Sequence, residues 1–299
     1  MIDRRDFLRA AGGALALTGL GSTAAAMATP GFSGLAPALA ALERDSGGRL
    51  GVAVLDSGSG RHAGLHADER FPMCSTFKVL LAAAVLQRVD RGFERLDRSV
   101  PIAESDLVSH SPTAAKHVGA DGMPVADLCR ATMIQSDNAA ANLLLRTIGG
   151  PAGLTRFVRG LGDPHTRLDR WETALNSATP GDPRDTTTPA AMARNLQRLL
   201  LGNVLHDASR ALLTGWLVDN RTGDARLRAG LPERWRAGDK TGTSISAEGR
   251  GTANDIAIVW PPGRPPLLVA CYLTGAAPDV DAMSAVHAAV ARAMAAAIG

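Results

Sequence analysis

The chain has 299 residues, 45% of them hydrophobic and 20% charged, with a formal net charge of +3. That length and composition allow a sizeable buried core and exclude a disordered or fibrous protein. Acids and bases are interleaved along the chain, so the small positive excess gives no argument for a nucleic-acid partner.

Residues 1–28 read as an export signal: Arg4-Arg5 and Arg9, then a small, apolar run from Ala10 to Leu20, then Ala24-Ala25-Ala26 before a cleavage zone. The arginine pair points to the twin-arginine route and so to the periplasm. Removing the segment takes away three arginines and two aspartates and leaves a net charge of +2. No later stretch is apolar for the roughly 20 residues that a membrane span takes, so a processed chain is expected to have no membrane association.

Pro37 to Arg44 has a helical pattern. Arg49 to Leu55 reads as a strand, Asp56-Ser57-Gly58-Ser59-Gly60 as a turn, and a second strand runs to about Ala67. Helical patterns follow over Thr76–Arg91, Pro124–Ile134, Ala139–Ile148, Pro151–Leu161 and Pro189–Leu201, with the three prolines at first helical positions. Strand patterns return at Trp235–Thr243, Asn254–Trp260 and Leu267–Leu273, and Val280–Ile298 is a final amphipathic helix. Strands at both ends around a helical middle predict an α/β chain of the α+β type. Its antiparallel sheet is built from both ends with flanking helices, a helical domain is inserted in the middle, and the site lies between them. The expected division is 29–68 with 213–299 for the sheet domain and 69–212 for the helical one. Asp163 to Thr188 is long, polar and without period, which in a compact chain points to function.

Three short motifs carry chemistry. In Ser75-Thr76-Phe77-Lys78, a helix beginning at the serine puts Lys78 one turn on, where its amine can take the hydroxyl proton or stabilise the alkoxide. In Ser136-Asp137-Asn138, Ser136 can relay a proton and Asn138 can both donate to and accept from a substrate amide. In Lys240-Thr241-Gly242-Thr243, Lys240 can bind a carboxylate or tune Ser136, Thr241 adds a hydroxyl, and Gly242 lets a ligand approach an edge strand. Each is weak alone; together, in this order, they are specific.

The set resembles the class A β-lactamases and penicillin-binding proteins over about Leu35–Gly299. Arg170-Trp171-Glu172-Thr173-Ala174-Leu175-Asn176, followed by Arg184-Asp185, looks like the class A omega loop, here at about 167–186, and separates the two. The resemblance implies that a β-lactam acylates Ser75 and that a water activated by Glu172 and positioned by Asn176 releases it. It implies further that Arg170 pairs with Asp185, that the backbone N–H groups of Ser75 and Thr243 form the oxyanion hole, and that Arg226 anchors the substrate carboxylate. His110 matches a gate position usually filled by an aromatic residue. A monomer without metal or cofactor is the family expectation. The Lys78 amine and a Glu172-held water both remain open as acceptors of the Ser75 proton.

Several features depart from the family pattern. Cys74 precedes the nucleophile, as in some carbapenem-hydrolysing relatives, but their partner cysteine past the third motif is replaced by the Thr243-Ser244-Ile245 stretch. The usual partner position of Cys129 falls at about Ala82, so both thiols are expected free. Ser244 to Gly251 is longer and more polar than usual. The family's cis bond after the general base would here be Glu172–Thr173. A DD-peptidase would share Ser75, Lys78, Ser136 and Lys240 but lack Glu172 and Asn176. A β-lactam sensor would need a membrane-spanning region. A zinc enzyme finds only His62 and His66, separated by Gly64 in a strand-like hairpin.

Overall fold

In the computed structural model, which describes residues 32–298, Leu35 and Leu39 lie one turn apart and bury one face of helix α1 (Leu35–Ser46). Gly47, at φ 62°, ends the helix in the left-handed conformation open to glycine. The expected export signal lies outside the described residues. Strand β1 (Arg49–Asp56) pairs antiparallel with β2 (His62–Leu65) as the hairpin its turn residues imply. The six central residues of β1 are all buried, as in a strand covered on both faces.

After β3 (Phe71–Pro72), a 3-10 turn over Cys74–Thr76 runs into α2 (Phe77–Asp90). Every residue from Phe77 to Leu86 is buried, so α2 is enclosed on all sides. The next elements are β4 (Ser99–Ile102), β5 (Gly119–Pro124), α3 (Val125–Ile134), α4 (Asn138–Thr147) and α5 (Gly150–Gly160). The long polar segment follows, with regular structure in a 3-10 turn over Ala174–Asn176 and in β6 (Thr186–Thr187), which pairs with β3. Helices α6 (Pro189–Leu200), α7 (Asp207–Asp219) and α8 (Leu227–Gly230) lead to β7 (Arg236–Ile245), β8 (Gly251–Trp260), β9 (Leu267–Ala276) and α9 (Val280–Ile298).

The main sheet runs β2-β1-β9-β8-β7 and is antiparallel throughout. Its strands alternate between two cores. Leu50, Val52, Val54, Val269, Cys271 and Leu273 face α1 and α9, whereas Ala53, Leu55, Ile256, Ile258, Ala270 and Tyr272 face α2 and the other helices. Strand β7 is left at one edge, beside the Cys74–Thr76 turn that leads into α2, with one side unpaired.

Local signals misplaced or missed some details. Helix α7 was not anticipated, since Asp207–Asp219 holds Gly215 and Thr214; burial of Leu213, Trp216 and Leu217 on one face carries the helix instead. The pair β4–β5 has proline in each strand and two glycines in β5, so no strand pattern is visible. Pro124 closes β5 in extended geometry rather than opening α3, and Pro151 is the second residue of α5. The expected long loop at Ser244–Gly251 is shorter: β7 and β8 pair out to Ile245 opposite Gly251, and Ser246–Arg250 form a hydrogen-bonded turn.

Candidate active site

Ser75 sits half-buried in the turn that leads into α2, and Lys78 occupies the first turn of that helix with its side chain fully buried. Because α2 is enclosed, the amine has left water for a site lined by oxygens. Lys78 Nζ donates to Asn138 Oδ1 at 2.6 Å and to Ser136 O at 2.7 Å, and lies 3.3 Å from Ser136 Oγ. Burial pushes Lys78 below the usual lysine range, against the pull of Glu172.

Ser136 holds φ at 58°, which a side-chain-bearing residue seldom adopts. The turn is fixed by Asp137, whose Oδ1 caps α4 through Ala140 N while Oδ2 accepts from Thr113 N and Ala114 N, each at 2.9 Å. Asn138 was expected to meet a substrate amide. Its carboxamide accepts from Lys78 and donates to Ser109 O at 2.8 Å, so it braces Lys78 and keeps a second amide hydrogen for another acceptor.

Edge strand β7 brings the third motif across this group. Lys240 Nζ donates to Ser136 Oγ at 3.0 Å. Burial, then the nearby Lys78 charge, lowers Lys240 to about 7. A Cβ at Gly242 would stand 3.1 Å from Ser75 N and 2.8 Å from Met73 O, so only glycine allows the strand to lie this close to the serine. Thr243 follows, exposed to the cleft. Thr241 Oγ1 pairs with Thr222 Oγ1 at 2.6 Å rather than standing free. Arg226 is buried behind β7, where it donates to Gly242 O at 2.9 Å, Asn254 O at 2.7 Å and Thr243 Oγ1 at 2.6 Å. It was expected to anchor the substrate carboxylate; its Nη2 reaches the cleft side of β7 at the Thr243 hydroxyl. His110 is exposed, and its Nε2 is 2.9 Å from Gln135 O.

The polar segment brings a carboxylate to the same place. Glu172 Oε1 lies 3.1 Å from Lys78 Nζ, an ion pair whose side chains are both fully buried. Oε2 accepts from Asn176 Nδ2 at 2.6 Å. Asn176 Oδ1 is buried without a hydrogen-bond partner and Glu172 Oε1 faces Lys78, so both oxygens keep acceptor capacity. The bond from Glu172 to Thr173 is cis, as expected. Arg170 Nε donates to Asp185 Oδ2 at 2.5 Å, and Asp185 Oδ1 also accepts from Asp169 N at 2.7 Å and Arg170 N at 3.0 Å.

Three positioning groups escaped sequence reasoning. Asn142, in a buried helix, accepts from Glu172 N at 3.0 Å and donates to Glu172 O at 2.9 Å. Its spacing of four from Asn138 within an otherwise apolar run was the available signal. Asn254 Nδ2 donates to Pro72 O and Met73 O, tying β8 to the residues before Ser75. Ser244 Oγ donates to Asn176 O, joining β7 to the polar segment. Cys74, Cys129 and Cys271 are all free and buried, and burial pushes the Cys74 thiol up to about 12.

Comparison with known proteins gives the same picture. The model of the β-lactamase enzyme family matches residues 34–298. The chain is 49% identical to β-lactamase L2 of Stenotrophomonas maltophilia over 98% of both proteins. Among solved structures it is similar to an ancestral class A β-lactamase reconstructed for Gram-negative bacteria, at 62% identity and a TM-score of 0.84, covering 87% of this chain and 98% of that one. A β-lactamase from Xanthomonas campestris pv. campestris is 57% identical, with a TM-score of 0.85 over 89% of this chain and 97% of its own.

Proposed function

The chain belongs to the class A serine β-lactamase family, and on that premise we propose that it opens β-lactam rings through an ester on Ser75, which a Glu172-activated water then hydrolyses. The observation that carries this reading is the buried meeting of Lys78, Glu172 and Asn176, since a DD-peptidase-like acyl-enzyme needs no carboxylate there.

In the first half, the Ser75 hydroxyl attacks the ring carbonyl. The Ser75 and Thr243 N–H groups hold the oxyanion, each such donor being worth about 10²- to 10³-fold. The Ser75 proton goes to the Lys78 amine or to a water on Glu172. Ser136, between Lys78 and Lys240, passes a proton to the departing ring nitrogen. Lys240 and Thr243 meet the substrate carboxylate, with Arg226 acting through the Thr243 hydroxyl. Asn138 fixes Lys78, and His110 borders the entrance. In the second half, Glu172 takes a proton from the water as it attacks the ester carbon, and Asn176 orients that water. General-base help of this kind contributes about 10²- to 10⁴-fold.

The wider setting belongs to the same proposal: export by the twin-arginine route, a periplasmic monomer, no cofactor, and a cleft between a sheet domain and a helical domain. Helix α7 runs through residue 213, so the second crossing between domains is better placed after Asp219.

The test is nitrocefin turnover with mass analysis of the protein. Glu172→Ala is expected to acylate in one rapid equivalent and then release product about 10²- to 10⁴-fold more slowly. Unchanged steady turnover in that variant would overturn the division of roles.

A further inference from the structure

Behind the polar segment, away from Ser75, is a cavity of about 630 Å³. Its walls come from four separated parts of the chain: α1 with the α1–β1 turn, the 66–72 stretch from β2 into β3, the polar segment from Arg170 to Thr186, and the turn from β7 to β8 with the end of β9. Arg49, Arg70, Arg170, Arg184 and Arg250 line it, together with His66. Two carboxylates, Glu43 and Asp182, face the same space, and Glu69 and Asp185 hold Arg49 and Arg170 from beside it, which leaves a formal surplus of one positive charge before His66 is counted.

Internal pairing uses only part of this donor capacity. Arg70 Nη1 donates to His165 O and Thr186 Oγ1. Arg184 forks Asp182 through Nε and Nη2, and Arg250 Nη2 donates to Gly47 O and Gly275 O. Nitrogens remain over on each of these guanidinium groups. Guanidinium does not shed its proton in a protein, so five of them around one hollow, with nitrogens left over after their internal pairing, offer fixed positive donors to an anion. The fork of donors on arginine matches carboxylate and phosphate oxygens. The volume falls within the roughly 300–1,000 Å³ of small-molecule sites.

We propose that this cavity is a second binding site, for a small organic polyanion carrying two or more carboxylate or phosphate groups, and that its occupation alters release of the acyl-enzyme. The link is Arg170, which lines the cavity, stands two residues before Glu172, and donates to Asp185 through both its backbone N–H and its guanidinium. An anion drawing on Arg170 and Arg184 competes with Asp182 and Asp185 and so loosens or resets the segment that carries the general base.

The rate effect rests on the proposed role of Glu172; binding does not. The two are therefore measured apart. Calorimetric titration of the Ser75→Ala protein with citrate, and separately with pyrophosphate, at constant ionic strength reads binding without turnover and separates the carboxylate arm from the phosphate arm. Saturable one-to-one binding of at least one probe is expected, weakened at least tenfold in a Ser75→Ala protein that also carries Arg70→Gln and Arg184→Gln, whose folding is checked by thermal denaturation. No binding by either probe, or equal binding by the arginine variant, would overturn the site. With wild-type protein, the probe that binds should change the steady rate of nitrocefin turnover at least threefold while leaving the acylation burst in place. Binding with no change in that rate would overturn the regulatory part and keep the site. Slow release after an intact acylation burst in Glu172→Ala remains the separate test of the catalytic reading.

Discussion

Strand β7 and the polar segment 163–188 border the same cleft and hold their groups by different means. Lys240 and Gly242 are placed by a ladder in which every residue of β7 pairs with β8, and Lys78 by a helix buried along ten successive residues. Glu172 is placed by polar pins: Asn142 on its backbone, Asp185 on the turn before it, Asp163 holding the start of the segment through His165 N, Thr166 N and Asn195. The acylating groups thus stand on hydrophobic scaffolding and the releasing group on a network of hydrogen bonds. Damage to the first should stop ester formation, and damage to the second should trap the ester.

Removing Lys78 tests that contrast most severely. Lys78→Met keeps the length of the side chain and discards its charge, leaving Glu172, Asn138 and Ser136 O without their donor. Acylation of Ser75 by nitrocefin, followed by stopped flow, is expected to slow about 10²- to 10⁴-fold. If the burst survives at its original rate, the proton of Ser75 leaves by another group and the scaffolded half of the comparison is misassigned.

Asp185→Asn tests the other half. Its carboxylate is buried and accepts three hydrogen bonds, one charge-assisted. Breaking a fully buried pair costs about 3–5 kcal/mol. Arg170 retains 21% of its side-chain exposure, so the lower end of that range is expected, with water taking over part of the guanidinium's solvation. Equilibrium urea unfolding reads the loss. Product release should slow more than acylation does; an equal slowing of both steps would mean that the segment also shapes the acylating groups.

The division also explains what was legible in the sequence. Ser75, Lys78, Ser136, Lys240 and Glu172 are each flagged by short motifs, because their chemistry fixes residue type and spacing together. The sheet built from both ends is visible in the apolar runs of β1, β8 and β9, whose alternation between two cores needs no knowledge of the helices. Asn142, Asn254 and Ser244 were not legible, because each acts on a backbone group 30 or more residues away in sequence, and no local pattern records such a contact. Asn138 was assigned to the substrate on residue type and Arg226 on resemblance; the contacts that position them, Asn138 with Lys78 and Ser109 and Arg226 with β7, cross between distant segments and leave no local pattern. Helix α7 and the β4–β5 pair are held by tertiary contact against weak local preference.

A smaller effect should separate charge from scaffold at β7. Burial and the charge on Lys78 bring Lys240 down to about 7, so its ammonium, present below that pH, is progressively lost above it in the free enzyme. Binding of a substrate carboxylate should weaken accordingly, and kcat/KM should fall as pH rises through about 7. Lys240→Arg keeps its charge across that range and should move the fall to higher pH. A profile that does not move in the variant would assign the fall to another group.

His66 gives the smallest expected effect and concerns neither half of the cleft directly. Its Nδ1 is 2.7 Å from Glu69 Oε1 and its Nε2 3.1 Å from Glu43 Oε2. Only the imidazolium donates from both nitrogens. Burial pulls the ring's pKa down, but the bonds to Glu69 and Glu43 outweigh this and leave it raised above the ordinary value of 6.5. A raised pKa in the folded chain means that the folded state binds the extra proton more tightly. The stabilisation is therefore complete below pH 6.5 and lost as pH rises through the folded-state value. The ring keeps a third of its exposure, so the shift in Tm between pH 6 and pH 8 that this residue causes should be small. His66→Gln should remove that part of the pH dependence while leaving nitrocefin turnover unchanged; an altered rate would show that the wall shared by α1 and β2 reaches the catalytic groups through the polar segment after all.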